Sequence, residues 1–193
     1  MATTAQTRIT GGRWRGRLLA TPHEHVFRPT RAMVREALFN ILGDRVVGLA
    51  MVDLFAGSGT VGFEALSRDA AQVTFVDSDE RALSLVRTTA DRLGCTSSCR
   101  VVRADALAWV RSRPRELGDA ALVFMDAPYR DDAMVTVLDV LGQAPPPLVV
   151  CEHHRARSLP DRIGTLAVVR RARYGITDLT ILQRADMEGG DRE

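Results

Sequence analysis

Ala50-Met51-Val52-Asp53-Leu54-Phe55-Ala56-Gly57-Ser58-Gly59-Thr60-Val61-Gly62 reads as three things in succession: a buried strand, a glycine turn and the opening of a helix. The apolar run Ala50–Val52 with Leu54 and Phe55 is too short for a helix and suits a strand covered on both faces. Gly57, Gly59 and Gly62 follow at G-x-G-x-x-G spacing, which lets a backbone turn sharply and come close to a ligand. The helix predicted from about Val61 to Ser67 presents its N-terminal N–H groups toward whatever sits in the turn.

Glycine spacing alone fits many nucleotides. Two acids narrow the choice. Asp53 stands just before the turn, where a carboxylate repels a pyrophosphate but tolerates a cationic amine. Val73-Thr74-Phe75-Val76-Asp77 reads as a second strand ending in an acid about 20 residues on, the usual place for a ribose-diol acceptor. An adenosine-bearing ligand with a positive end and no phosphate matches S-adenosylmethionine better than NAD.

The chain has 193 residues, the size of one ordinary domain. Its net charge of +2 hides an uneven distribution, with seven Arg and one acid, Glu24, between Arg8 and Arg35. All basic side chains are Arg, so a general replacement of Lys explains most of the arginine. The N-terminal clustering is the informative part, and it suits a polyanion. The three cysteines make no C-x-x-C pair and no disulfide framework. His23, His25, His153 and His154 lack companions at metal-ligand spacing, so no metal is expected. With no apolar run of bilayer length and no signal-peptide core, the expectation is a cytoplasmic protein.

From the N-terminus, Arg8-Ile9-Thr10 and Arg13 to Ala20 suggest a β-hairpin around a Gly11-Gly12 turn. Trp14 lies among Arg13, Arg15 and Arg17, a basic patch with an aromatic interleaved, as in nucleic-acid contacts; an apolar edge covered by Trp14 is compatible with the same residues. Thr30 is the expected N-cap of an amphipathic helix to Leu42. Arg31 and Arg35 lie one turn apart on its other side, either a solvated basic face or a wall of a nucleic-acid groove. Ser78 is the expected cap of a helix to Leu93. A third strand over Arg100–Val102 leads to Ala104-Asp105-Ala106 and a short helix to Ser112. Pro114–Asp119 reads as a loop and Ala120–Met125 as a central buried strand. A helix from Asp131 to Leu141 and a strand over Leu148–Cys151 follow, then a closing hairpin about Gly175. Strand–helix alternation of this kind predicts an α/β fold with a mostly parallel sheet and helices on both faces.

Asp53, Asp77, Asp105 and Asp126 each fall at the carboxyl end of a predicted strand, where such folds bind ligands. Asp126-Ala127-Pro128-Tyr129 suits methyl transfer to an amine. The Asp126 side chain and the Ala127 carbonyl accept the hydrogens of an exocyclic nitrogen and stabilise its developing charge. Pro128 stiffens the turn and Tyr129 offers a stacking face for a flipped base. An ordinary strand-ending turn has the same composition, so the glycine loop upstream decides.

Three blocks resemble the RsmD family: Ile9 to Leu18, Arg28 to Asn40, and Asp53 to Leu66. The resemblance runs from Arg8 to about Gln183. It implies a Rossmann-like class I methyltransferase with a seven-stranded sheet, an antiparallel last strand and a small N-terminal hairpin. It also implies S-adenosylmethionine as donor and the N2 amine of a guanine in 16S ribosomal RNA as acceptor, within an assembling small subunit. Asp53 with Phe55, Ala56, Gly57 and Gly59 would meet the methionine part. Asp77 and Ser78 would meet the ribose, Asp105 and Ala106 the adenine, and Asp126–Tyr129 the target base. Arg13, Trp14, Arg15, Arg17, Arg28, Thr30, Arg31 and Arg35 would contact RNA. Ala127 departs from the Pro usual in that family, which loosens the turn but keeps the carbonyl. The expected division is an extension over 1–27, the catalytic domain over 28–185 and a frayed tail over 186–193. Alternatives from the residues alone are a methyltransferase acting on DNA adenine or a protein glutamine, an NAD-dependent oxidoreductase, and a non-catalytic RNA-binding module.

Overall fold

The computed structural model describes residues 5–21, 29–128 and 132–185. Strands β1 (Ala5–Arg8) and β2 (Leu18–Thr21) pair antiparallel as a separate ribbon. Helix α1 (Pro29–Leu42) leads to β3 (Ala50–Leu54), α2 (Thr60–Ser67), β4 (Gln72–Asp77), α3 (Glu80–Leu93) and β5 (Cys99–Arg103). Then come α4 (Ala106–Ser112), α5 (Pro114–Asp119), β6 (Leu122–Met125), α6 (Ala133–Leu141), β7 (Leu148–His154), β8 (Arg162–Ile163), β9 (Leu166–Tyr174) and β10 (Thr177–Arg184).

The main sheet has the order β5-β4-β3-β6-β7-β10-β9-β8. Strands β3 to β7 are mutually parallel, and β10 inserts antiparallel between β7 and β9. The expected seven strands and antiparallel last strand are present, with the two-residue β8 as an added edge. The order reverses between β3 and β6, so their carboxyl ends open a crevice there.

Alternation along the strands explains the two faces. Met51, Val73, Phe75, Leu122 and Phe124 point to one side, where α1, α2 and α3 bring Leu38, Phe63 and Leu83. Val52, Leu54, Val76, Val123 and Met125 point to the other, where α4, α5 and α6 bring Trp109, Leu117 and Leu138. Strands buried on both faces must be apolar almost throughout, which is why β6 is Leu-Val-Phe-Met, all buried.

Four local readings change. Pro114–Asp119 is a short helix, because Pro at the first helical position costs no hydrogen bond. Asp79, not Ser78, caps α3: its carboxylate accepts the Arg81 N–H at 2.8 Å. Helix α1 begins at Pro29, so Thr30 lies inside its first turn and is not its cap. Gly11 and Gly12 are not a hairpin turn, because residues 9–17 all lie between the paired strands.

Candidate cofactor and acceptor site

Three residues at the end of β3 take positive φ: Phe55 at 59°, Gly57 at 54° and Gly59 at 77°. The left-handed values reverse the chain in a few residues, and the Ala56 N–H ties the turn to the Val76 carbonyl of β4 at 3.1 Å. The glycines divide by role. A Cβ on Gly59 would come within 2.8 Å of the Phe75 ring, and one on Gly62 within 2.3 Å. Those two permit helix α2 to pack on the sheet. A Cβ on Gly57 would meet nothing within 4 Å, so Gly57 is the glycine of the motif that borders open space.

Acids gather at this turn. Asp53 is 2% exposed and its Oδ2 accepts the Gly62 N–H at 3.0 Å. Burial raises its carboxyl well above the ordinary range, the Gly62 bond opposes that, and the nearby Asp126 and Asp77 push the same way as burial. Asp53 was expected to lie against the ligand. Instead it is nearly closed off, and it anchors the first turn of α2 to the sheet. Asp77 is half-buried; its Oδ2 accepts the Gly57 N–H at 2.7 Å and its Oδ1 the Asp79 N–H at 2.9 Å. It thus shapes the open glycine from the neighbouring strand. Asp105 is exposed and caps α4 by accepting the Ala108 N–H at 2.9 Å. Ala106 behind it is nearly buried, at 4%.

Asp126 follows β6 half-buried, Ala127 is 3% exposed, and Pro128 is exposed. Tyr129 lies outside the described residues, as does Arg28. Of Thr30 and Arg31 only the helical backbone is described. Asp53, Asp77 and Asp126 come together electrostatically, whereas Asp105 stands one strand further out, beyond β5.

The N-terminal segment is held by a residue that the sequence pattern does not single out. Glu64, on α2, is fully buried and accepts five hydrogen bonds: Thr10 N–H at 2.9 Å, Thr10 hydroxyl at 2.7 Å, Gly11 N–H at 2.8 Å, Arg35 Nε at 3.1 Å and Arg68 Nε at 3.0 Å. Its signal was a lone acid in the apolar run Val61 to Leu66. Arg35 also donates to the Arg8 carbonyl at 2.6 Å. Arg35 is therefore not the RNA-facing side chain expected of it: it is 4% exposed and spent on an internal pair. Desolvation lowers its pKa and Glu64 counters that shift.

Beyond Glu64 the chain wraps the end of α2. Arg13 N–H reaches the Ser67 carbonyl at 2.7 Å and Trp14 N–H the Ser67 hydroxyl at 2.9 Å. Gly12 has no alternative there, since a Cβ would fall 1.8 Å from the Ser67 carbonyl oxygen. Trp14 packs on the core and carries the Arg13 guanidinium 4.4 Å over its ring, while Arg15 and Arg17 are exposed. This end of α2 lies beside the amino end of β3, as the Gly48 N–H to Asp69 carbonyl bond at 2.8 Å shows. The basic loop and the crevice thus sit at opposite ends of the parallel strands, separated by the length of β3, roughly 16 Å for a five-residue strand.

Of the histidines, His153 is buried with Nε2 2.8 Å from the Thr180 hydroxyl, and burial lowers its pKa. Among the described residues no group of three His, Cys, Asp or Glu side chains is placed to hold a metal, and no helix is long and apolar enough to cross a membrane.

A parallel sheet with one antiparallel strand inserted next to its last parallel member, a glycine turn after the first central strand, and acids at the strand ends define a Rossmann-like methyltransferase. Residues 7–183 match the family model described as conserved hypothetical protein 95. The Bacillus subtilis protein named "Putative rRNA methyltransferase YlbH" is 34% identical over 92% of this chain and 98% of its own length. Ribosomal RNA small subunit methyltransferase D of Escherichia coli is 38% identical over 70% of this chain and 67% of its own. A solved Escherichia coli structure, titled "Putative methyltransferase yhhF", superposes with a TM-score of 0.78 at 31% identity, covering 93% of this chain and 98% of the other. The chain belongs to the RsmD family of methyltransferases.

Proposed function

We propose that this enzyme methylates the exocyclic N2 amine of a guanine in 16S ribosomal RNA, with S-adenosylmethionine as donor, during small-subunit assembly in the cytoplasm. The observation that carries the donor assignment is the Asp77 carboxylate set on the one open glycine of the motif, its Oδ2 accepting the Gly57 N–H at 2.7 Å beside space that no atom fills. Asp77 and Asp126 lie near enough to Asp53 to raise its carboxyl further, and their charge favours a cationic group placed beside them. For a pyrophosphate, two N–H groups of the glycine motif, those of Gly57 and Gly62, are already taken by the carboxylates of Asp77 and Asp53. The same fact counts against an NAD-dependent reading.

The fit to the donor rests on this chain's own groups. Gly57 leaves room where a Cβ would stand, and the Asp77 carboxylate beside it retains lone pairs for a ribose diol. Asp105 keeps a second oxygen beyond its capping bond at the outer strand, toward an adenine edge. S-adenosylmethionine bound there supplies an electrophilic methyl group on a sulfonium. On the acceptor side, the Asp126 carboxylate and the Ala127 carbonyl hold the two hydrogens of the base amine. They draw its lone pair out of conjugation and stabilise positive charge on nitrogen as it forms. Ala127, where the family usually has Pro, is held in place by burial at 3% exposed. The N-terminal extension, residues 1–27, adds a remote basic contact with Arg13, Arg15 and Arg17, which suits a large folded RNA.

The acceptor assignment draws on the relatives, whose names specify ribosomal RNA of the small subunit. Its test is mass mapping of modified nucleosides in 16S ribosomal RNA from cells lacking the gene. Loss of one N2-methylguanosine, restored by the intact gene and not by an Asp126→Ala copy, is the expected result. An unchanged modification pattern removes the substrate.

A further inference from the structure

Cys95 and Cys99 flank the 3-10 turn Thr96–Ser98 that joins α3 to β5, and their sulfurs lie 3.8 Å apart. We propose that these two thiols form a peroxide-oxidisable pair that closes reversibly to an intrachain disulfide. The backbone already brings the ends of the turn together. Cys95 N–H is bonded to the Ala90 carbonyl at 3.0 Å and Ser98 N–H to the Cys95 carbonyl at 2.9 Å. The sulfurs need to close by roughly 1.8 Å to reach the about 2.05 Å of a disulfide, a shift within reach of side-chain rotation.

The two thiols are unequal, as such a pair requires. The contact with Cys99 and the positive charge of Arg13 lower the Cys95 pKa against the effect of its burial. The same contact raises that of Cys99, and burial adds to it. Cys95 is 4% exposed and Cys99 half-buried, so the oxidant must be small. The Cys95 thiolate attacks one oxygen of hydrogen peroxide, breaking the O–O bond, to give Cys95 sulfenic acid and hydroxide. The Cys99 sulfur then displaces the sulfenic oxygen, forming S–S as one water leaves with the thiol proton. The peroxide is reduced and the two thiols are oxidised, two electrons in all. An external dithiol reverses the step by exchange. Cys151 serves as an internal comparison: it is fully buried in the opposite core, away from the pair, and burial alone pushes its thiol up.

Arg92, at the end of α3, donates to the Leu18 carbonyl of β2, and Arg13 lies close enough to Cys95 to bias its charge. The proposal does not depend on the methyl-transfer reading.

The experiment treats the reduced, full-length protein with hydrogen peroxide, blocks remaining thiols, and maps peptides by mass spectrometry before and after dithiothreitol. The expected result is a Cys95–Cys99 link, two hydrogens lighter, formed within one chain, with Cys151 still a thiol, and full return on reduction. In Cys99→Ser the expected product is a Cys95 sulfenic acid trapped by dimedone. A pair that stays reduced, that links only between chains, or that passes to sulfinic acid without a link overturns the proposal.

Discussion

Glu64 meets the Arg35 guanidinium at 3.1 Å with the two side chains 0% and 5% exposed, and the same carboxylate holds the backbone of Thr10 and Gly11. One buried charge thus joins α1, α2 and the N-terminal segment. Removing one partner of a buried pair leaves the other uncompensated, at a cost of about 3–5 kcal/mol. Glu64→Gln should therefore lose stability of that order in urea unfolding, because its amide N–H group is set against donors. A loss under about 1 kcal/mol would mean that the carboxylate is no keystone.

Gly57 and Gly62 share a motif but should fail differently. Gly62→Ala drives a methyl into the Phe75 ring and the Val73 side chain, both buried in the sheet. Overpacking of this kind costs about 1–3 kcal/mol, visible as a lower melting temperature. Gly57→Ala meets no atom but must hold φ near 54°, a strain of about 1–2 kcal/mol. It should weaken binding of S-adenosylhomocysteine at least as much as it weakens the fold. Equal affinity in Gly57→Ala and the parent would move the ligand away from this turn.

Asp53 imposes a pH dependence whose sign is fixed. Its folded carboxyl is raised, so the folded state holds a proton that the unfolded chain gives up. That contribution is fully present below the unfolded carboxyl pKa and is lost as pH rises through the folded value. Asp53→Asn keeps an oxygen for the Gly62 N–H and removes the titration. Unfolding free energy of the ligand-free protein plotted against pH should fall less from acid to neutral pH in the variant. Parallel curves would contradict the buried, raised carboxyl.

Arg15 and Arg17 are exposed at the end of the strands opposite the crevice. A double Arg→Ala change should leave S-adenosylhomocysteine binding unaltered. It should also reduce the salt dependence of RNA binding by about one unit of slope for each phosphate that an arginine no longer neutralises. Unchanged salt dependence would remove the extension from the RNA surface.

The architecture was legible because burial on both faces leaves few ways to write a central strand: Leu122 to Met125 is apolar throughout. The glycine turn and the placing of Asp77 and Asp126 at strand ends were readable from spacing and strand pattern. Side-chain destinations were not. Arg35 shows the helical spacing of an exposed basic face, and only the arrival of Glu64 from another helix turns it inward. Gly11-Gly12 looks like a hairpin turn; its cause is close approach to the Ser67 carbonyl, 55 residues away in sequence, which no local pattern encodes. Asp53 reads as a ligand contact because its own helix partner, Gly62, comes nine residues later.

The most direct measurement is calorimetric titration of the protein with S-adenosylhomocysteine and, separately, with NAD. A donor site at the Gly57 turn beside Asp77 predicts saturable one-site binding of the first and none of the second. Binding of the first should persist in Asp126→Ala while methyl transfer to ribosomal RNA is abolished. Binding of NAD with no heat from S-adenosylhomocysteine would contradict it.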